Sequence, residues 1–373
     1  MTEASPSHLG RWIVSPKIDL AMLGLPLLFT LLALLGALVA PRVEDLPLWA
    51  FLFLVVAFDV AHVWATVFIS YLDTAALKRR RLLFLLPIPL TVVIGYRLHL
   101  HSPALFWTLM AYVAIHHFMA QQWGFVALYK LRAGERFDRY LDKWTVYVGA
   151  LGPVLYWHTT DAAFDWFGHG ERFLTRLPAD LQSDILWGMG IVAAVYVARQ
   201  VAHAHSSRFN LGKNLWMAAV WASWSLGIGM ASHPLVSLAC INLLHGIPFL
   251  VLVWWRLKRG WSQASSEERS ESRFLAWLSG AGAEGRNRWL LILVFYVPLL
   301  VVGLAEEGAW EGLVWGNYLP RVEGLSAAQL SLIVAVLSTP QIVHYYLDAW
   351  LWKLDGSNPD FERALGLPER STS

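Results

Sequence analysis

Apolar residues run through this chain in blocks of about twenty, set apart by short polar stretches. A helix of that length matches a hydrocarbon core about 30 Å thick. Ten such blocks cover residues 18–40, 47–72, 82–99, 103–130, 140–158, 184–203, 213–231, 234–256, 288–307 and 326–352. The expected fold class is therefore all-α. It is a polytopic transmembrane helical bundle of about ten spans, with residues 1–373 forming one integral-membrane domain. Pro87, Pro89 and Gly95 in the third block, and Gly149, Gly152 and Pro153 in the fifth, are residues at which a span can kink.

Composition agrees with the pattern. Hydrophobic residues make up 57% of the chain and charged residues only 15%, against about 25% charged in soluble domains. The mean hydropathy is +0.47. A net charge of +2 gives no footing for a nucleic-acid partner. The one cysteine, Cys240, lies inside a block, so neither an internal disulfide nor a Cys-x-x-Cys metal knuckle is available. The first seventeen residues are mostly polar and lead into a span too long for a signal peptide, so none is expected.

The cations are clustered. Lys78 to Arg81 follow the second block. Lys130, Arg132, Arg136, Arg139 and Lys143 follow the fourth. Arg199, Arg208 and Lys213 lie around the end of the sixth, and Arg256, Lys258 and Arg259 follow the eighth. The alternate loops are poorer in Lys and Arg. Short cationic loops stay in the cytoplasm, which predicts that both termini are cytoplasmic. Residues 155–180, with Trp157, Phe164, Trp166 and Phe167, read as an outer interfacial loop. Residues 257–287 read as a cytoplasmic loop with one interfacial helix, and 354–373 as a cytoplasmic tail. The expected location is a bacterial inner (cytoplasmic) membrane.

Within these apolar blocks sit ionisable residues, and an intramembrane ionisable residue is a functional candidate by default. His62 lies ten residues before the inner end of its block, His117 thirteen, His245 eleven and His344 eight. At 1.5 Å per residue they share a slab about 12–20 Å from the cytoplasmic edge. Each has a polar companion at helical spacing: Asp59 with His62, Gln121 with His117, Asn242 with His245 and Asp348 with His344. The pairs are expected to face the bundle interior. The candidate metal ligands are His62, His116, His117, His245 and His344. Asp59 and Asp348 are ligands or carboxylate partners of ligating histidines, and Gln121, Asn242 and Tyr345 orient ligands or contact substrate. Five histidines without cysteine suit one or two non-haem irons, with zinc or haem as alternatives. Pro340, one turn before His344, predicts a local helix break at the depth of the site.

Scattered histidines on several apolar spans, with His245-Gly246 and His344-x-x-x-Asp348, resemble the histidine-rich membrane oxygenases. The looser likeness is to lipid desaturases and hydroxylases, whose His-x-x-x-His and His-x-x-His-His boxes this chain lacks. The nearer likeness is to the bacterial β-carotene-cleaving dioxygenases related to the bacteriorhodopsin-related protein. The resemblance implies a metal that activates dioxygen beside a lipid or isoprenoid substrate, with electrons, where needed, from a separate donor. Two other functions fit the same residues. One is a transporter with a His/Asp proton relay near the midplane, and the other a b-type haem electron-transfer protein. Tyr345 and Tyr346 also suit packing, and Asp73 beside Lys78 to Arg81 suits an interfacial salt-bridge cluster. His203 and His205 suit a solvated role at the end of the sixth block. His8, His99, His101, His158, His169 and His233 carry no assigned role.

Overall fold

The structure is a computed structural model and describes residues 12–39, 46–160, 177–229, 233–279 and 288–367. Among the described residues all regular secondary structure is helical. In chain order the helices are α1 (Pro16–Val39), α2 (Leu48–Ile69), α3 (Thr74–Arg79), α4 (Arg81–His101), α5 (Pro103–Arg132), α6 (Arg139–His158), α7 (Leu181–His205) and α8 (Leu211–Trp224). They continue with α9 (Pro234–Ser262), α10 (Ser266–Glu271), α11 (Arg273–Leu278), α12 (Arg288–Trp310), α13 (Ala327–Leu337), α14 (Thr339–Leu351) and α15 (Pro359–Leu365).

All ten apolar blocks are helical where they are described. Eight of them are long and apolar enough to cross a membrane: α1, α2, α4, α5, α7, α9, α12 extended to Trp315, and α13–α14 taken together. The other two are α6 and α8. Helix α6 opens with Arg139, Asp142 and Lys143, and the α-helical part of α8 is 14 residues long. The chain is thus an all-α protein with several membrane-spanning candidates, as its hydropathy predicts.

Two compact units divide the chain: residues 1–47 with 108–245, and residues 48–107 with 246–373. In the first unit α6 packs on α7 and α8, and α1 on α8. A Cβ at Gly149 would overlap the Trp221 indole, so glycine is what lets α6 and α8 approach; Trp221 Nε1 then donates to Thr145 O at 3.0 Å.

One end of this unit is held by buried charge. Lys213 Nζ lies 2.6 Å from Glu135 Oε1 and 3.2 Å from Asp142 Oδ1, and Lys130 Nζ lies 2.7 Å from Glu135 and bonds Asp142. Asn210 Nδ2 donates to Glu135 Oε2 at 3.2 Å. Two cations and two carboxylates cancel, which is the condition for burying them. Burial pushes the Glu135 carboxyl up, but Lys213 and Lys130 pull it further, leaving it below its ordinary range. The cations that the loop pattern assigns to topology thus also lock α5, α6 and α8 together.

In the second unit α4 packs along α13 and α14, while α12 and α14 pack against α2. Its apolar core includes Phe68, Phe84, Phe249, Val253, Leu275, Phe295 and Leu347. Helix α2 is irregular: it is a π-helix over Phe51–Val60, α-helical over Ala61–Ala65 and 3₁₀ over Thr66–Ile69. The break expected at Pro340 is present as the step between α13 and α14. Ser338 Oγ donates to Val334 O at 2.7 Å and Thr339 Oγ1 to Ala335 O at 2.8 Å, giving carbonyls at the break hydroxyl partners.

Among the described residues, parts of the expected loops are helical. Of the 155–180 loop, residues 161–176, with Phe164, Trp166 and Phe167, lie outside the described residues. In the 257–287 stretch α9 runs on to Ser262 and two short helices follow. The tail folds back as α15, burying Asp360, Phe361, Glu362, Ala364 and Leu365.

Candidate metal centre

The second unit supplies His62 and His344. His62 follows the π-helical run of α2, whose wider turns set the direction in which Asp59 and His62 leave the helix. His62 Nδ1 lies 3.6 Å from Asp59 Oδ1. A Cβ at Gly246 would lie 2.6 Å from Phe58 O, so the glycine after His245 is what lets α9 close on this turn. His344 stands on α14, its ring centroid 4.8 Å from that of His62 and its plane at 81° to it. Its Nδ1 bonds Thr66 Oγ1 at 2.6 Å, and its Nε2 lies 3.8 Å from Asp348 Oδ2. The Phe249 ring stands edge-on to both imidazoles, at 5.4 Å and 5.3 Å.

The first unit supplies His117 on α5 and His245 on α9, with ring centroids 5.1 Å apart and planes at 81°. The Phe118 ring lies 3.9 Å from that of His245. Gln121 Nε2 donates to His245 O at 2.9 Å. The amide therefore braces the α9 backbone at the histidine.

All four of these histidines are buried, and each unit holds one close pair of imidazoles, His62 with His344 in the second and His117 with His245 in the first. The donor chemistry fits a borderline transition metal: imidazole nitrogens, carboxylates beside them, and no sulfur.

Four of the five expected histidines are buried, and His116 is exposed. Adjacent helical residues point about 100° apart, so His116 and His117 cannot both face one point. Asp59 and Asp348 stand beside ligand candidates at the distances above. Tyr345 accepts a hydrogen bond at its hydroxyl from Gln341 Nε2 at 2.7 Å, and its ring centroid is 5.8 Å from that of His344. Asn242 is buried.

Sequence reading passes over Thr66, Phe249 and Trp352. Thr66 has a signal, since it lies four residues after His62 on the same helical stripe. Other polar residues also differ from expectation. His203 is buried rather than solvated, with Nε2 2.5 Å from Asp138 Oδ2, and Arg199 Nε reaches the same oxygen at 2.8 Å. Burial pushes the Asp138 carboxyl up, but Arg199 and His203 together hold it below its usual range. His99 is buried against Ser331 Oγ at 2.9 Å, and His158 closes α6 with its Nε2 2.8 Å from the Tyr112 hydroxyl. Asp73 caps α3, accepting from Ala76 N at 2.9 Å, while Lys78 pairs with Glu271. The chain matches no family model, no curated protein and no solved structure.

Proposed function

We propose that this chain is an intramembrane metalloenzyme in which His62, His117, His245 and His344 ligate non-haem iron, and that it oxidises a lipid or isoprenoid substrate with dioxygen. The observation that carries the reading is that all four imidazoles are buried on apolar helices and pair two by two, His62 with His344 and His117 with His245, at 4.8 Å and 5.1 Å between ring centroids. A divalent metal engages several neutral imidazoles at once. The bound metal would supply a Lewis-acidic, redox-active centre. The protein's own part is to hold the rings, to balance charge through Asp59 and Asp348, and to present apolar walls such as Phe118 and Phe249 that suit a hydrocarbon and exclude water. Hydroxylation, desaturation and cleavage are the alternatives within this class.

A bis-histidine haem needs a porphyrin plane between its two axial imidazoles, and within each pair the ring centroids, 4.8 Å and 5.1 Å apart, are too close to admit one. The proposed topology has ten spans with both termini cytoplasmic, and it puts the group between the midplane and the cytoplasmic face.

The test is elemental analysis and an absorption spectrum of the detergent-purified protein, with His117→Ala, His245→Ala and His116→Ala alongside. Bound iron without a Soret band, lost in the first two variants and kept in the third while all three insert, supports the proposal. Stoichiometric metal in His117→Ala and His245→Ala would overturn it, as would a wild-type protein that takes up no metal.

A further inference from the structure

We infer that the C-terminal helix α15 is a latch on the metal site, and that Trp352 is the positioning residue through which it acts on Asp348. This inference rests on the metal reading above. The chain of contacts lies wholly in the second unit. Arg256, buried on α9, donates from Nε to Asp360 Oδ2 at 2.6 Å and from Nη2 to Asp360 Oδ1 at 3.1 Å, a bidentate grip on α15. Its Nη1 donates to Leu351 O at 2.5 Å, at the end of α14. The same guanidinium lies 5.3 Å from the centroid of the Trp352 ring and 5.2 Å from that of Phe361. Phe361 of α15 stands edge-on to Trp352, at 5.1 Å and 82°.

Trp352 is therefore clamped from the α15 side, and its other edge reaches the site. Trp352 Nε1 donates to Asp348 Oδ1 at 3.2 Å, while the other oxygen of that carboxylate, Oδ2, faces His344 Nε2 at 3.8 Å. The indole also lies edge-on to Phe249, the ring that walls both His62 and His344. One indole N–H thus fixes which way the carboxylate turns. Asp348 presents one oxygen toward the ligand histidine because the other is held. Such outer partners orient ligands and tune the centre, and losing one typically costs about 10–100-fold in metal affinity.

The test uses the full-length protein loaded with Co²⁺, whose visible bands report ligand geometry, with affinity measured by chelator competition. Trp352→Phe keeps the ring and removes the donor. It is expected to weaken Co²⁺ binding about tenfold and to shift the bands. Asp348→Asn should produce a similar loss, and the double variant should be no worse than the weaker-binding single one, because both break the same link. Phe361→Leu, which loosens α15 without touching the site, should move affinity and bands in the same direction by a smaller amount. This variant also serves if Trp352→Phe fails to fold. Wild-type affinity and spectrum in Trp352→Phe, or additive losses in the double variant, would overturn the latch while leaving the metal centre standing. A wild-type protein that binds no Co²⁺, iron or zinc would instead overturn the reading beneath it.

Discussion

Thr66→Val is the sharpest probe of how the site is built. The substitution keeps the β-branched shape and removes one hydroxyl, so helix α2 has no reason to move. What changes is the 2.6 Å bond to His344 Nδ1. For His344 to ligate a metal through Nε2, its proton must sit on Nδ1 and be donated to Thr66 Oγ1. Valine leaves that N–H buried without an acceptor, a penalty of about 1–3 kcal/mol. At about 1.4 kcal/mol per tenfold change, the predicted loss is about five- to 150-fold in metal affinity. This overlaps the roughly 10–100-fold seen when an outer partner of a ligating histidine is removed. Chelator competition on detergent-purified protein measures it, with Thr66→Ser as the rescue because serine restores the acceptor. Affinity within twofold of wild type in Thr66→Val, in a protein that folds and loads metal, would refute the tautomer argument.

Three further outcomes are expected. Lys213→Met removes one cation from the buried ring with Glu135, Asp142 and Lys130, and the uncompensated carboxylate should destabilise the protein by about 3–5 kcal/mol in detergent unfolding. His116→Ala should leave both metal content and stability near wild type, since the residue is exposed. Burial pushes the Asp360 carboxyl up, but Arg256 pulls it further, holding it below its ordinary value. Its contribution is then fully present above the unfolded value of about 3.9 and is lost as pH falls through the lower folded value. Stability measured by unfolding should show an acid decline below about pH 4 that is smaller in Asp360→Asn.

Hydropathy made the helices legible because a span must satisfy its backbone internally and shed polar side chains. The burial of His62, His117, His245 and His344 was legible for a related reason: four histidines at one depth, each with a polar neighbour at helical spacing, are hard to place except facing inward. The choice between His116 and His117 was not legible. Helix α5 is apolar nearly all round, so no polar face marks its orientation, and only packing tells which neighbour is buried. The π-helical run over Phe51–Val60 was equally hidden, because Phe-Leu-Phe-Leu-Val-Val-Ala-Phe carries no signal separating five-residue from four-residue hydrogen bonding. The ion network joins Lys213 to Glu135 across 78 positions in sequence, so its members read singly as loop charges. The tail shows the same limit. Pro359-Asp-Phe-Glu-Arg-Ala-Leu looks solvated until Arg256, 104 residues earlier, is found opposite Asp360.

Charge balance bears on how many metals the proposed histidine site should hold. Four neutral imidazoles around one divalent ion leave a net charge of +2 in an apolar setting, a state that needs nearby anions. Asp59 and Asp348, 3.6 Å and 3.8 Å from ligand histidines, supply two negative charges and bring the sum to zero. Two divalent ions would double the requirement. They would also leave only two of the four proposed histidines for each. One metal per chain is therefore expected, and Asp59→Asn should weaken it by leaving the centre a charge short. Elemental analysis of protein quantified by amino-acid content decides the matter. Two irons per chain, both lost together in His344→Ala, would show that carboxylates beyond Asp59 and Asp348 join the site and that the charge argument is wrong.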